Sequence, residues 1–204
     1  MSGCSSRGSS RSTAPSASIP STAPLSAVLP TTGDLGILAQ GLAWASTDRS
    51  FGSSAPSRCD SGAGDEAAVE RIFTAGDPAA PSTVELSIIT KTSSADAQAE
   101  INDKRGPTYR NCFRMQLVSD ASAAGSGIDL KSVEFNSTSG LDGGEGFTFS
   151  VQMNNSSCVR HHDDYFVALG RYVLFADFGG CGPYPLTAER SLISAVGSKL
   201  SSQT

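Results

Sequence analysis

The chain has 204 residues, an ordinary apolar fraction of 38% and a formal net charge of −5. Its few basic residues are scattered, which argues against nucleic acid as a partner. No run approaches the roughly 20 apolar residues of a membrane-spanning helix.

Ser2-Gly3-Cys4 matches the last three positions of a bacterial lipobox, where the cysteine becomes the mature N-terminus and carries diacylglycerol on its sulfur. Residues 1–4 therefore read as a lipobox remnant, with Cys4 lipidated and the export signal lying ahead of Met1. A diacyl anchor supplies the two chains that stable membrane attachment takes, so the membrane is the expected partner at this end, on its extracytoplasmic side. Residues 5–32 are almost entirely Ser, Thr, Pro and Ala and predict a disordered tether. Residues 33–204 are enough for one core and read as one extracytoplasmic domain. Arginine outnumbers lysine 11 to 4 against an Ala/Gly/Ser background, a bias of GC-rich genomes such as those of actinobacteria.

Within the domain, residues 33–44 place Leu35, Leu38 and Leu42 at helical spacing behind Asp34, and predict a short amphipathic helix. Residues 65–73 predict one or two helical turns with Asp65 and Glu66 at the favourable N-terminal end. Residues 84–90 alternate and then run apolar, as a strand does. Ser93 and Asp96 form a capping-box pattern ahead of a helix with Ala97 and Ile101 on one face, and Gly106-Pro107 ends it. Residues 113–118, 133–137 and 147–153 predict three further strands. Two β-rich runs, 165–169 and 172–178, flank Gly170-Arg171, a pair suited to a type II′ hairpin turn. Thr187 then caps a final helix with Leu192, Ile193, Val196 and Leu200 on one face. The predicted class is α+β, an antiparallel sheet with helices packed mainly on one face.

Beyond Cys4 there are four cysteines, Cys59, Cys112, Cys158 and Cys181. An even number in an exported domain reads as two disulfides, with three possible connectivities. Folding the chain about Gly170-Arg171 brings Cys158 within about two residues of the position opposite Cys181, given antiparallel register. The preferred pairing is therefore Cys158–Cys181, which leaves Cys59–Cys112.

Taken in order, these features are an early loop cysteine, a strand, the helix Ser93-Ser94-Ala95-Asp96-Ala97-Gln98-Ala99 leading to Cys112, an apolar hairpin between Cys158 and Cys181, and a closing amphipathic helix. This order resembles the PknH-like extracellular sensor domain of mycobacteria, found at the outer end of a receptor Ser/Thr kinase and in stand-alone lipoproteins. The resemblance covers roughly residues 59–200. It implies a curved antiparallel sheet with helices, two disulfides, and a cleft for an unidentified ligand, and it does not imply an enzymatic activity. Tyr109 lies near the place where the family has a tryptophan.

His161-His162-Asp163-Asp164 is the one dense set of polar catalytic residue types. Adjacent strand residues point to opposite faces, so the four do not converge on a metal, and the set reads as a solvated loop or edge strand. Both histidines lie in this cluster and no Gly-x-Ser-x-Gly elbow accompanies them; a Ser-His-Asp hydrolase would have to use Asp163 or Asp177. Gly140 to Gly146 precedes a strand and carries two acids, which suits a hairpin loop better than a phosphate cradle. One side of the 165–178 hairpin, from among Tyr165, Phe166, Tyr172, Phe175 and Phe178, is the candidate lining of an apolar cleft. No metal, cofactor or catalytic residue is assigned. The leading expectation is a lipid-anchored binding domain for a small-molecule, lipid or envelope ligand; the alternatives are a structural or adhesive envelope lipoprotein and a secreted hydrolase using His161 or His162.

Overall fold

The computed structural model describes residues 23–51, 59, 67–78, 81–123, 129–141, 144–154 and 158–202. Cys4 and residues 5–22 of the expected tether lie outside the described residues. Seven strands form one sheet: β1 (Ala45–Phe51), β2 (Ala67–Ala75), β3 (Ser82–Thr90), β4 (Asp129–Leu141), β5 (Gly144–Asn154), β6 (Val159–Leu169) and β7 (Tyr172–Gly180). Their spatial order is β1-β2-β3-β7-β6-β5-β4, and every neighbouring pair is antiparallel.

The chain order explains this arrangement. Strands β1 to β3 form a meander, after which α2 (Ser94–Arg105) and α3 (Pro107–Ala123) carry the chain to the far edge. Strands β4 to β7 then return hairpin by hairpin, so that β7 pairs with β3 from Thr83↔Gly179 to Thr90↔Tyr172. Gly170 opens the last turn at φ +57°, as the first central position of a type II′ turn requires. Ser93 caps α2 by accepting the Asp96 N–H at 3.1 Å, and Gly106 ends that helix.

Strand alternation divides the core in two. On the first face, Val69, Phe73, Val84, Leu86, Ile88, Tyr165, Val167, Leu174, Ala176 and Phe178 pack against α4 (Leu186–Ser201), which contributes Leu192, Ile193, Val196 and Leu200. On the second, Phe166, Ala168 and Val173 meet Ala97 and Ile101 of α2, with Phe113 and Leu117 of α3 behind them. The antiparallel α+β class and both disulfides hold, whereas the helices are shared between the two faces. The crossover from β3 to the far edge has to pass over one face, and α4 occupies the other. All of Tyr165 to Leu169 is buried, and an unbroken apolar run of this kind marks a strand covered on both sides.

Four other expectations are corrected. Residues 23–32 belong to the domain and not to a tether. Helix α1 (Ala23–Ser26) and the turn after it bury Leu25, Val28 and Leu29 in the first core, each worth roughly 1.5–3 kcal/mol. Arg71 pins them, donating from Nη1 to the carbonyls of Pro30 at 2.8 Å and Leu29 at 3.3 Å. Residues 33–44 form only a 3-10 turn (Thr32–Ile37), and Ala45 onward is the edge strand β1. In that turn Asp34 accepts hydrogen bonds from the backbone N–H and hydroxyl of Thr31, which hold its carboxyl below the usual range. Residues 67–75 are a strand, since nine register pairs to β3 outweigh the weak helical preference of Ala and Glu. Residues 113–118 are the middle of α3, with Phe113 and Leu117 one helical turn apart on the second core.

Both bridges form as the preferred pairing has them, Cys59–Cys112 with Cα atoms 5.5 Å apart and Cys158–Cys181 at 5.6 Å. The first ties the segment before β2 to α3 across 53 residues, and the second closes a loop of 23 around the β6–β7 hairpin. In the chain-entropy model these loops contribute about 4 and about 3.5 kcal/mol. Cys112→Ser and Cys181→Ser should each lower the denaturant midpoint by a comparable stability loss, read by urea titration of tryptophan fluorescence, with Cys112→Ser the larger.

Candidate functional site

The pairing of β3, β7 and β6 brings distant acids together. Glu85 is directly opposite Asp177 on β7, which is directly opposite Asp164 on β6. Side chains at such cross-strand positions start about 4.5–5.5 Å apart. All three project from the second face, beyond the rows that α2 covers, and Glu70 of β2 joins them by a hydrogen bond to Glu85. Ser87 donates to Glu70 at 3.4 Å, and Arg49 of the edge strand stands 3.6 Å from the same carboxylate.

His162 completes the set. Its Nδ1 lies 3.0 Å and 3.3 Å from the two carboxylate oxygens of Asp177. This contact needs the proton on Nδ1, so the neutral ring keeps its lone pair on Nε2. Gly179 makes room for the imidazole: a Cβ there would stand 2.7 Å from the ring and 2.5 Å from the Thr83 hydroxyl.

Burial and like charge set the protonation of the row. Burial, with Glu70 and Asp177 nearby, pushes Glu85 up to about 7. Asp164 is only 8% exposed. Burial first, and then the charge of Asp177 and their mutual hydrogen bond, raise its carboxyl well above the usual range. The arrangement can bind and release protons near neutrality, and it presents the half-buried Asp177 and His162 to whatever meets this face.

A second buried acid sits on the first face. The Tyr165 hydroxyl donates to Glu189 at 2.5 Å, within the core beneath the first turn of α4. Glu189 is fully buried, and among the described residues its Oε1 has no hydrogen-bond partner. Burial raises its carboxyl to about 7, against the opposing pull of the Tyr165 bond.

The residues singled out in the sequence divide along the same faces. Tyr165 and Phe178 meet edge to face in the first core, with Tyr172 packed at its margin, whereas the rings of Phe166 and Phe175 meet at a tilt with centroids 4.9 Å apart on the second. The five rings therefore do not share one surface. His162 and Asp164 point to the second face and His161 and Asp163 to the first, as alternation requires, but β6 is an interior strand and not an edge or a loop. Tyr109 stacks on Phe113 and, together with Phe166, receives the ammonium of the buried Lys104 at 4.7 Å and 4.9 Å. The sequence does not mark Glu70, Glu85 and Asp177 as a group, because each is an ordinary single acid in its own strand. Glu85 between Val84 and Leu86, and Asp177 between Ala176 and Phe178, did carry a signal: an acid on the reverse side of a core strand.

No family model matches the chain, and no curated protein matches it. Among solved structures, the extracellular domain of PknH from Mycobacterium tuberculosis is similar in fold. The match has a TM-score of 0.63 at 10% identity and covers 90% of this chain and 97% of that one. The two share an architecture, and no helix among the described residues is long and apolar enough to cross a membrane.

Glu189 gives a signed pH prediction. Its folded carboxyl lies above the unfolded one, so the native state holds an extra proton between about 4.5 and 7, and stability falls as pH rises through that window. Glu189→Gln should raise the thermal midpoint at pH 8, by at most about 3 kcal/mol of stability. The gain should vanish near pH 4.5, as read by scanning calorimetry across pH.

Proposed function

We propose that the protein is an extracytoplasmic lipoprotein, anchored to the cell membrane through Cys4, whose folded domain binds a small-molecule, lipid or envelope ligand without transforming it. The observation that carries this reading is the doubly bridged seven-stranded sheet, whose architecture is that of a kinase's extracellular domain. Two disulfides suit an oxidising compartment outside the cytoplasm. Residues 5–22, still rich in Ser, Thr, Pro and Ala, would hold the domain off the bilayer once residues 23–32 are counted in the fold.

The second face is the side offered to a ligand. Helices α2 and α3 cover its β4–β7 end, and the half-buried Asp177 and His162 mark the edge of that cover. Polar groups at the rim of an apolar surface fix a ligand's orientation, whereas the first face is filled by α4 and the 23–38 segment.

A hydrolase remains the second reading because His162 and Asp177 form the base half of an acyl-transfer triad. It lacks a serine or cysteine nucleophile paired to His162 among the described residues.

The deciding experiment expresses the gene with its native upstream region in an actinobacterial host and measures intact mass, with native mass spectrometry of the envelope-purified protein. The expected product starts at Cys4, is heavier by a diacylglycerol and gains about four mass units on reduction. A co-purifying ligand should be the same intact molecule in the wild type and in a His161→Ala/His162→Ala variant, with its occupancy lowered in the variant by loss of the His162 contact. An unmodified Met1 with free thiols would overturn the anchored reading, and accumulation of uncleaved substrate in the double variant would favour the hydrolase.

A further inference from the structure

Two carboxyl–carboxyl contacts cross the sheet, Asp177 to Asp164 at directly opposed positions of β7 and β6, and Glu70 to Glu85 on the diagonal between β2 and β3. A carboxyl pair at hydrogen-bond distance needs a proton, because two carboxylates have only acceptors to offer each other. The pairs abut where Glu85 faces Asp177, so Glu85, Asp177 and Asp164 form one row across three adjacent strands, and Glu70 of β2, opposite Ser87, joins it on the diagonal. Losing the shared protons would leave as many as four negative charges side by side in a half-buried strip.

The countercharges nearby are few. Arg49 of β1 reaches Glu70, and His162 of β6 reaches Asp177. Asp163, on the opposite side of β6, adds negative charge to Asp164. The helices packed on this face carry Glu100, Lys104, Arg105, Arg110 and Arg114. Of these, Lys104 is bound to Glu100 and lies over Phe166, and Arg114 reaches the Val133 carbonyl at 3.5 Å. Lys91, at the end of β3, is paired with Glu100 as well. At β5 the partner of Asp164 is Phe149, which brings no charge.

We propose that this acid cluster is a proton-operated latch: a proton in each carboxyl pair holds β2 to β3 and β7 to β6 on either side of the Glu85–Asp177 junction, and their loss loosens the joined strands. The four strands straddle the junction between the β1–β3 meander and the β4–β7 meander, so the latch acts where the two halves of the domain are joined. The Glu85 carboxyl, raised to about 7, puts the change of its pair near neutrality, and burial beside Asp177 raises Asp164 in the same direction, so the cluster is tight in mildly acidic surroundings and loosens as pH rises. The device works whether or not a ligand binds, so it stands apart from the binding reading.

Hydrogen exchange of the full chain at pH 5.5, 7 and 8.5, corrected for intrinsic rates, tests it. Amides of β3 and β7 should lose protection on the order of ten-fold between the lowest and highest pH. A Glu85→Gln/Asp164→Asn variant, which fixes the neutral form of both pairs, should abolish that dependence, while Glu189→Gln should leave it in place. Unchanged protection across pH in the wild type, or the wild-type response in the double variant, would overturn the latch. Carbon-13 titration of the wild-type carboxyls needs no variant: Glu85 and Asp164 titrating near 4, with ordinary carboxylates, would overturn it as well.

Discussion

The pairing of β3 with β7 is the constraint on which the rest of the structure depends. It joins residues about 90 positions apart, from Thr83↔Gly179 to Thr90↔Tyr172, and the loop-closure entropy of that separation has to be met before any local gain is realised. The apolar rows Val84–Phe178, Leu86–Ala176 and Ile88–Leu174 meet it on the first face, where α4 and the 23–38 segment cover them. Without this pairing the β1–β3 meander would be a three-stranded sheet with an exposed apolar edge, and α4 would have half a surface to pack on. The two disulfides support the same closure from its flanks, one reaching from before β2 to α3 and the other clasping β6 to the end of β7.

The same register that builds the core also creates its most expensive feature. Placing Leu86 opposite Ala176 and Val84 opposite Phe178 turns Glu85 and Asp177, one residue along on each strand, toward each other on the second face. The acid row is thus a fixed companion of the apolar row, and a change of register would exchange the two. Desolvated acids in contact cannot all ionise, so the protein holds protons there that an unfolded chain would have released at neutral pH. Glu189 repeats the theme within the first core, where Tyr165 gives it one hydrogen bond and α4 gives it the positive end of a helix. Both features lower stability above neutrality, a cost that a domain bound only to be stable would have no reason to bear.

Local signals read well where a segment's own chemistry decided its state. The Ser93 cap, the Gly106-Pro107 stop, the Gly170-Arg171 turn and the apolar face of the last helix are each written within a few residues, and the structure follows them. The hairpin register then led to Cys158–Cys181, since a turn and an alternating pattern suffice to align two strands. Local signals mislead where a segment's partners lie elsewhere in the chain. Residues 67–75 look weakly helical alone and become a strand by pairing on both sides, while Phe113 and Leu117 sit in a segment whose β-like content is overridden by the crossover it has to make. Leu25, Val28 and Leu29 were hidden in a Ser/Pro/Ala background, and only Arg71 and the first core show that they are part of the domain.

By itself, then, the sequence determined the antiparallel α+β class, the disulfide pairing, the hairpin and both ends of α2, because each rests on spacing along a short stretch of chain. The tertiary structure alone decided the strand order, the division of helices between two faces and the meeting of Glu70, Glu85, Asp177, Asp164 and His162. Those acids come from four strands, and nothing in the neighbourhood of any one of them records which strand will lie beside it. Long-range pairing sets that, through the burial of apolar rows on the opposite face, so the site appears only once the core has chosen its register.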